Sequence, residues 1–271
     1  MKEHIYIDGD RVNSLLPLRS LFYGEGVFES FRYRGKMPLL IDEHFHRMKK
    51  GADLLKIPCP SDEYLFDLLN KVVLDSEIDD AYVKICLLAE GDSAFYRNAD
   101  SSQVLVIIKE YVSAAGKSIK LTVNSFATQS GGPLKAIKSM NYLENVIARR
   151  EALDLGFDEA LFLNEREEIV ECSASNIFWF KEGKFYTPKD ECGCLPGTTR
   201  NLIVDLIGRI NMRIESGRYL LADLLDSEFA FVTNSLIGCI PVSEIDGSSF
   251  NINHDLLSMV DDVLFERLGW I

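Results

Sequence analysis

The sequence has no uninterrupted apolar run close to the roughly 20 residues that a membrane helix needs. Its opening, MKEHIYIDGD, lacks the apolar segment of a signal peptide. These absences predict a cytoplasmic protein with no membrane partner. Basic clusters are also missing: 29 Lys and Arg stand against 42 Asp and Glu, a formal charge of −13. That balance excludes the basic footprint of a nucleic-acid-binding face. Histidine is scarce, with only His4, His44, His46 and His254. His44 and His46 stand at i and i+2 in a helical stretch and point to different faces, so a shared metal is not expected. The six cysteines are scattered, and Cys192 and Cys194 have no second pair at zinc-ligand spacing. A loop near solvent, with reduced thiols, is the expectation there. There is no Gly-x-Ser-x-Gly elbow, no Walker loop and no G-x-G-x-x-G fingerprint.

What is present is a 271-residue chain of ordinary globular composition, enough for one large or two modest domains. IYIDGDRV alternates about Asp8-Gly9-Asp10 and predicts a β-hairpin. VFESFRYR alternates again and turns at Arg34-Gly35-Lys36 into MPLLI, which predicts a second hairpin. Asp42 is placed to cap the following helix, DEHFHRMKKGADLLKI, which Pro58 and Pro60 end. A further helix from about Asp62 to Leu74 precedes the strands AYVKICLLA and QVLVIIKEY. Residues 1–112 therefore form a small α+β domain, an antiparallel sheet with helices. SAAGKS opens a linker over residues 113–119. Residues 120–271 carry the strand IKLTVNSF, a Gly-rich loop, a helix from Asn141 to Leu155, and the strands DEALFLN and EIVE. The hairpin NIFWFKEGKFYTP, a helix opening at LPGTTR, the strands EFAFVTN and CIPVSEI and an amphipathic C-terminal helix complete it. So many short strands do not fit a doubly wound sheet and predict a larger, barrel-like second domain.

With serine, metal and nucleotide chemistry unsupported, lysine is the remaining nucleophile. A Lys amine becomes a covalent catalyst once burial or a nearby cation lowers its pKa. Lys138 stands at a loop-to-helix junction, just before Asn141 and Tyr142. Glu171 closes a strand some thirty residues on. PGTTR, residues 196–200, opens a helix with unpaired N–H groups and two threonine hydroxyls, an anion site by geometry and dipole. An amine, a carboxylate and an anion cradle are what pyridoxal phosphate requires.

The motifs YGEGVFESFR, DEHFHRM, KSMNYL, GFDEALFLNEREEIVECSASNIFW, LPGTTR and TNSLIGCIPV together resemble the class IV aminotransferases, the fold-type-IV pyridoxal-phosphate enzymes. The resemblance covers nearly the whole chain. It implies an α+β fold with a small N-terminal α/β sandwich domain and a larger C-terminal barrel-like α/β domain. It implies that Lys138 binds pyridoxal 5'-phosphate as an imine and moves the substrate proton. Lys135 is the nearest rival, without the x-x-Asn spacing. Glu171 is implied on the pyridine nitrogen, and Arg47 as a bidentate phosphate donor. Thr198, Thr199 and Ser235 are implied at the phosphate, Tyr142 near the ring hydroxyl, and the small residues Ser173 and Ala174 against the ring. Tyr23, Phe28, Arg97 and Asn234 are implied on the substrate side. A small amine or amino acid is the implied substrate, and a homodimer the implied assembly.

Cofactor motifs do not choose the reaction. The family includes branched-chain aminotransferases, D-amino-acid aminotransferases and 4-amino-4-deoxychorismate lyases, the last releasing pyruvate and 4-aminobenzoate for folate biosynthesis. TNSLIG, CSASNIFW and the short chain resemble the lyases. Glu90 stands where other members hold an arginine for a substrate carboxylate, and Arg97 is the substitute the sequence offers. A member that binds the cofactor without turnover is disfavoured by the intact Lys138 and Glu171.

Overall fold

A computed structural model describes residues 5–7, 10–12, 18–92, 94, 96–113 and 118–271. Strands β1 (Ile5–Ile7) and β2 (Asp10–Val12) pair antiparallel as expected, while the turn residues 8–9 lie outside the described residues. A short helix α1 (Leu18–Tyr23) follows. Strand β3 (Gly26–Arg34) does not form the expected hairpin with MPLLI. After Gly35 (φ +68°) the chain makes a second tight turn, in which the Ile41 N–H donates to the Pro38 carbonyl, and it enters helix α2 (Ile41–Leu55) directly. Pro38 cannot donate to a ladder, and Leu40 is drawn into another core. The partner of β3 is instead β4 (Asp80–Glu90), reached after helix α3 (Asp62–Ser76), and β5 (Ser101–Glu110) completes the sheet β3-β4-β5.

The expected caps are corrected in detail. Leu40, not Asp42, precedes α2, and Lys56 in the left-handed region ends it before the prolines act. Ser61 caps α3 by accepting from the Tyr64 N–H. Helices α2 and α3 cover one face of the sheet through Phe45, Met48, Leu65 and Leu69 against Val27, Phe31, Val83 and Ile85. Gly51 allows this approach, because a Cβ there would lie 2.7 Å from Val27 Cγ1.

The second half is built on β6 (Ile119–Val123), helix α4 (Leu143–Asp154), β7 (Glu159–Leu163), β8 (Ile169–Cys172), β9 (Asn176–Lys181), β10 (Lys184–Pro188) and helix α5 (Thr198–Arg209). It continues with β11 (Arg213–Gly217), helix α6 (Leu221–Leu225), β12 (Phe229–Asn234), β13 (Gly238–Ile245), β14 (Ser248–Ser249) and helix α7 (His254–Leu268). Among the described residues these strands form one nine-stranded sheet ordered β11-β10-β9-β12-β13-β6-β7-β8, with β14 beside β13. The sheet curls into a half-barrel. One core joins residues from distant strands, Trp179 and Val232 with Leu161 and Ile169. On the opposite face Phe178 and Phe231 pack against Ile203 of α5 and Leu264 of α7. The α+β, barrel-like expectation is borne out.

Each sheet has its own core, but Leu40 packs in a core of the second half and Ile137 in that of the first, and β6 already begins at Ile119. The expected linker falls largely on residues 114–117, outside the described residues. Among the described residues, no helix is long and apolar enough to cross a membrane. Cys192 and Cys194 are corrected as well. Both are buried with Ala148 and Val170, and Cys194 Sγ donates to the Val170 carbonyl, so this is packed interior and not a loop near solvent.

Candidate active site

The two sheets meet along β3. The Phe28 N–H donates to the Lys138 carbonyl at 2.9 Å, and the Met140 N–H donates to the Gly26 carbonyl at 2.9 Å. Further along the same edge the Arg32 N–H reaches the Ser235 carbonyl, and Ser235 Oγ donates to the Ser30 carbonyl at 2.6 Å. The seam encloses a cavity of about 240 Å³. Its walls include Phe28, Arg47, Lys84, Lys138, Tyr142 and Glu171, then Ala174, Gly197, Thr198, Thr199, Asn234 and Ser235. A second cavity of about 320 Å³ adjoins it and shares Lys138, Tyr142, Glu171 and Leu195. Lys138 and Glu171 thus line both cavities.

Electrostatics distinguish these two groups. Burial pushes the Lys138 amine down to about 8, with the Arg47 charge adding to the effect and Glu29 and Glu171 opposing it. Its Nζ lies 4.7 Å from the Phe28 ring centroid and has no ion-pair partner among the described residues. Lys135, by contrast, spends its ammonium on Glu144 at 3.1 Å and on Thr128 Oγ1. Burial raises the Glu171 carboxyl to about 7, against the pull of the Leu195 N–H and of Lys138. Tyr142 is raised further, chiefly by burial and then by Glu171, and its hydroxyl donates to the Ser173 carbonyl at 3.1 Å.

The anion cradle is backbone. Helix α5 begins at Thr198 with Gly197 as its cap residue and no side-chain cap, so its first N–H groups open towards the cavity. Gly197 lets the chain pass close to Asn176: a Cβ would lie 2.5 Å from its Oδ1, so a larger residue would displace that side chain. Buried Arg200 anchors this helix start by donating to Asp190 at 2.9 Å and to the Pro188 carbonyl.

Arg47 lines the cavity, its fork bidentate onto Glu29 (Nε 2.8 Å, Nη2 2.6 Å), with Nη1 on the Pro196 carbonyl at 3.0 Å. Other expectations need correction. Ser173 does not line the cavity. Its hydroxyl points back to Glu159, and only Ala174 and Ser175 of that loop form the wall. Asn234 lines the cavity but uses its Oδ1 on the Leu236 and Ile237 N–H groups, an Asx turn that shapes the wall. Tyr23 and Arg97 line neither cavity. Arg97 is exposed and pairs with Asp92 at 3.0 Å, held in its own loop.

Two groups escaped the sequence reading. Glu29 is fully buried on the core face of β3, between Val27 and Phe31, and takes both Arg47 and His44 Nδ1 (2.6 Å). Arg47 and His44 hold its carboxyl at about 2 in spite of burial. Its signal is an acidic residue on the apolar face of an alternating strand, facing His-x-x-Arg on a helix. Lys84 is opposite Ser30 in the β3–β4 register, on the cavity face, with Nζ 4.1 Å from the Phe28 centroid. It too has no ion-pair partner among the described residues. His46, unlike His44, is exposed, and no metal-binding cluster occurs among the described residues.

The donor set fits a phosphorylated aldehyde with a basic ring nitrogen: an amine with no ion-pair partner among the described residues, a buried carboxyl on the same cavity, and a helix start with no side-chain cap. The amino-transferase class IV family model matches residues 26–245. This protein belongs to the class IV aminotransferase family. It is an enzyme of that family, and its cofactor is pyridoxal 5'-phosphate. An aminodeoxychorismate lyase of Bacillus subtilis is 30% identical over 89% of this chain and 86% of its own length. A branched-chain-amino-acid aminotransferase of Pseudomonas aeruginosa is 26% identical over 90% of this chain and 85% of its own, and a D-alanine aminotransferase of Listeria monocytogenes aligns as well. Among solved structures, a Legionella pneumophila protein carrying a provisional 4-amino-4-deoxychorismate lyase name superposes with a TM-score of 0.89. It shares 27% identity and covers 94% of this chain and 96% of its own.

Proposed function

We propose that this enzyme is a 4-amino-4-deoxychorismate lyase, releasing pyruvate and 4-aminobenzoate. The observation that carries the reading is Lys84, a further cation in the cavity of Lys138, set beside the aromatic ring of Phe28, with Tyr82 on the same wall. The proposed substrate is an amine on a carbon ring that bears carboxylate groups, and an ammonium beside aromatic walls suits such a molecule. The turn at Asn234-Ser235-Leu236, on the same cavity, adds to this reading.

When bound, pyridoxal phosphate supplies an electrophilic carbon for the substrate amine and an electron sink. In the proposed arrangement the N–H groups at Thr198 and Thr199 hold the phosphate, Ser235, whose hydroxyl proton goes to the Ser30 carbonyl, closes the cavity edge without donating to it, and Glu171 faces the ring nitrogen. Arg47, neutralised by Glu29, places half-shielded positive charge behind the cradle. The Lys138 amine, brought to about 8, is able to take and return a proton near neutral pH. Loss of pyruvate from the substrate leaves an aromatic ring, so one group serving as proton acceptor and then donor is sufficient, and Lys138 is that group. Lys84 receives a substrate carboxylate. The exposed apolar side chains Leu21, Phe22, Leu105, Ile107, Leu143 and Ile147 support a homodimer.

The test is a substrate panel on the holoenzyme: aminodeoxychorismate, leucine with 2-oxoglutarate, and D-alanine with 2-oxoglutarate. Pyruvate and 4-aminobenzoate from the first alone are expected. Glutamate formed from leucine or D-alanine, with no pyruvate from aminodeoxychorismate, would replace the lyase with a transaminase.

A further inference from the structure

Behind the cavity wall is a charged cluster that the reaction does not use. Glu159, at the start of β7, is 3% exposed. It pairs with Arg149 Nη1 of α4 at 2.6 Å, accepts from Ser173 Oγ and from Ser175 Oγ at 3.4 Å, and accepts its neighbour's Ala160 N–H at 2.9 Å. The loop so gripped is tied further: the Ser173 N–H donates to the Ala160 carbonyl at 2.9 Å, and Asn234 Nδ2 donates to the Ala174 carbonyl at 2.9 Å. With its hydroxyl and N–H turned towards β7, Ser173 aims its carbonyl at α4. There it accepts the Tyr142 hydroxyl at 3.1 Å and Asn145 Nδ2 at 2.8 Å. Tyr142, Asn145 and Arg149 are spaced three and four apart and share one helix face, so this single face both supports Glu159 and reads the carbonyl that Glu159 fixes.

The chemical consequence falls on Tyr142. A phenol has one proton and two lone pairs. Once the proton is committed to the Ser173 carbonyl, the oxygen offers only lone pairs to the cavity. We propose that Glu159 is a positioning residue: braced by Arg149, it fixes the Ser173 carbonyl so that Tyr142 acts at the cavity as a hydrogen-bond acceptor only. The charged and titratable groups facing Tyr142 are Glu171, Glu159, Arg47, Tyr82 and Lys138, and none of them takes its proton in place of Ser173.

This rests on the proposed cofactor site, with the ring hydroxyl beside Tyr142 as the family resemblance implies. The test follows the pH midpoint of the bound cofactor's visible absorption in Tyr142→Phe, Glu159→Gln and the double variant. Tyr142→Phe is expected to move the midpoint by about 0.5–1 unit, the size of one hydrogen bond. Glu159→Gln should move it the same way, and add nothing in the Tyr142→Phe background. A merely structural role would shift nothing, or would shift both backgrounds alike. Glu159→Gln with a wild-type midpoint beside a shifted Tyr142→Phe overturns the inference alone. An unshifted Tyr142→Phe overturns both the inference and the cofactor placement. If Glu159→Gln fails to fold, Ser173→Ala keeps the Arg149–Glu159 pair and carries the same expectations.

Discussion

The two walls of the cavity are built by different means. The wall on β3, α2 and β4 is made of side chains: Glu29, Arg47 and Lys84, brought together by strand register and by a helix packed across the sheet. The opposite wall is made mostly of backbone: the loop at Ala174 and Ser175, the opening of α5 at Gly197, and the turn at Asn234. The first wall sets charge and the second sets shape. A side-chain wall is sensitive to which partner each charge finds, whereas a backbone wall is sensitive to any added atom.

This comparison can be broken in order of expected effect. Lys138→Ala removes the amine on which both walls converge. Turnover should fall by about 10³-fold or more, with thermal unfolding unchanged; a variant with full activity would remove Lys138 from the chemistry. Glu29→Gln strikes the charged wall, leaving Arg47 buried with no counter-charge. A loss of about 3–5 kcal/mol in chemical denaturation is expected. The sign follows from a carboxyl held at about 2: its contribution is present above the ordinary carboxylate range and is lost as pH falls towards 2. The variant should therefore lose that part of the acid-unfolding slope, and an unchanged slope would mean that the pair is not formed. Glu171→Gln should keep the cofactor but slow proton abstraction by about 10²-fold, measured in single turnovers. Lys84→Met should raise KM for a carboxylate substrate about 10–100-fold with kcat nearly unchanged, the cost of a charge-assisted hydrogen bond. The smallest effect is on reconstitution. A protonated amine does not attack an aldehyde, so the rate of cofactor uptake should rise with pH through about 8 and level off above it.

Legibility in the sequence follows the same division. The backbone wall is written in consecutive residues, so PGTTR, CSAS and TNSL announced it, and Lys138 and Glu171 were readable beside them. The charged wall is assembled across β3, α2 and β4, and nothing local says that Glu29 faces Arg47 or that Lys84 lies opposite Ser30. Hence the Glu29 partner of Arg47 has no local signal, and Arg97, expected on the substrate side, is held in its own loop while Lys84 lines the cavity. The hairpin expected after Gly35 failed for a related reason: alternation identifies a strand but not its partner, and β4 lies some fifty residues on. Tyr23 was read from its motif alone, and the end of a short helix carried it out of the cavity.

The central claim is that one amine, at position 138, holds the cofactor. Borohydride reduction of the holoenzyme followed by peptide mass mapping tests it most directly. The account predicts a single reduced adduct, on Lys138; an adduct on Lys135 or Lys84, with Lys138 unmodified, would contradict it.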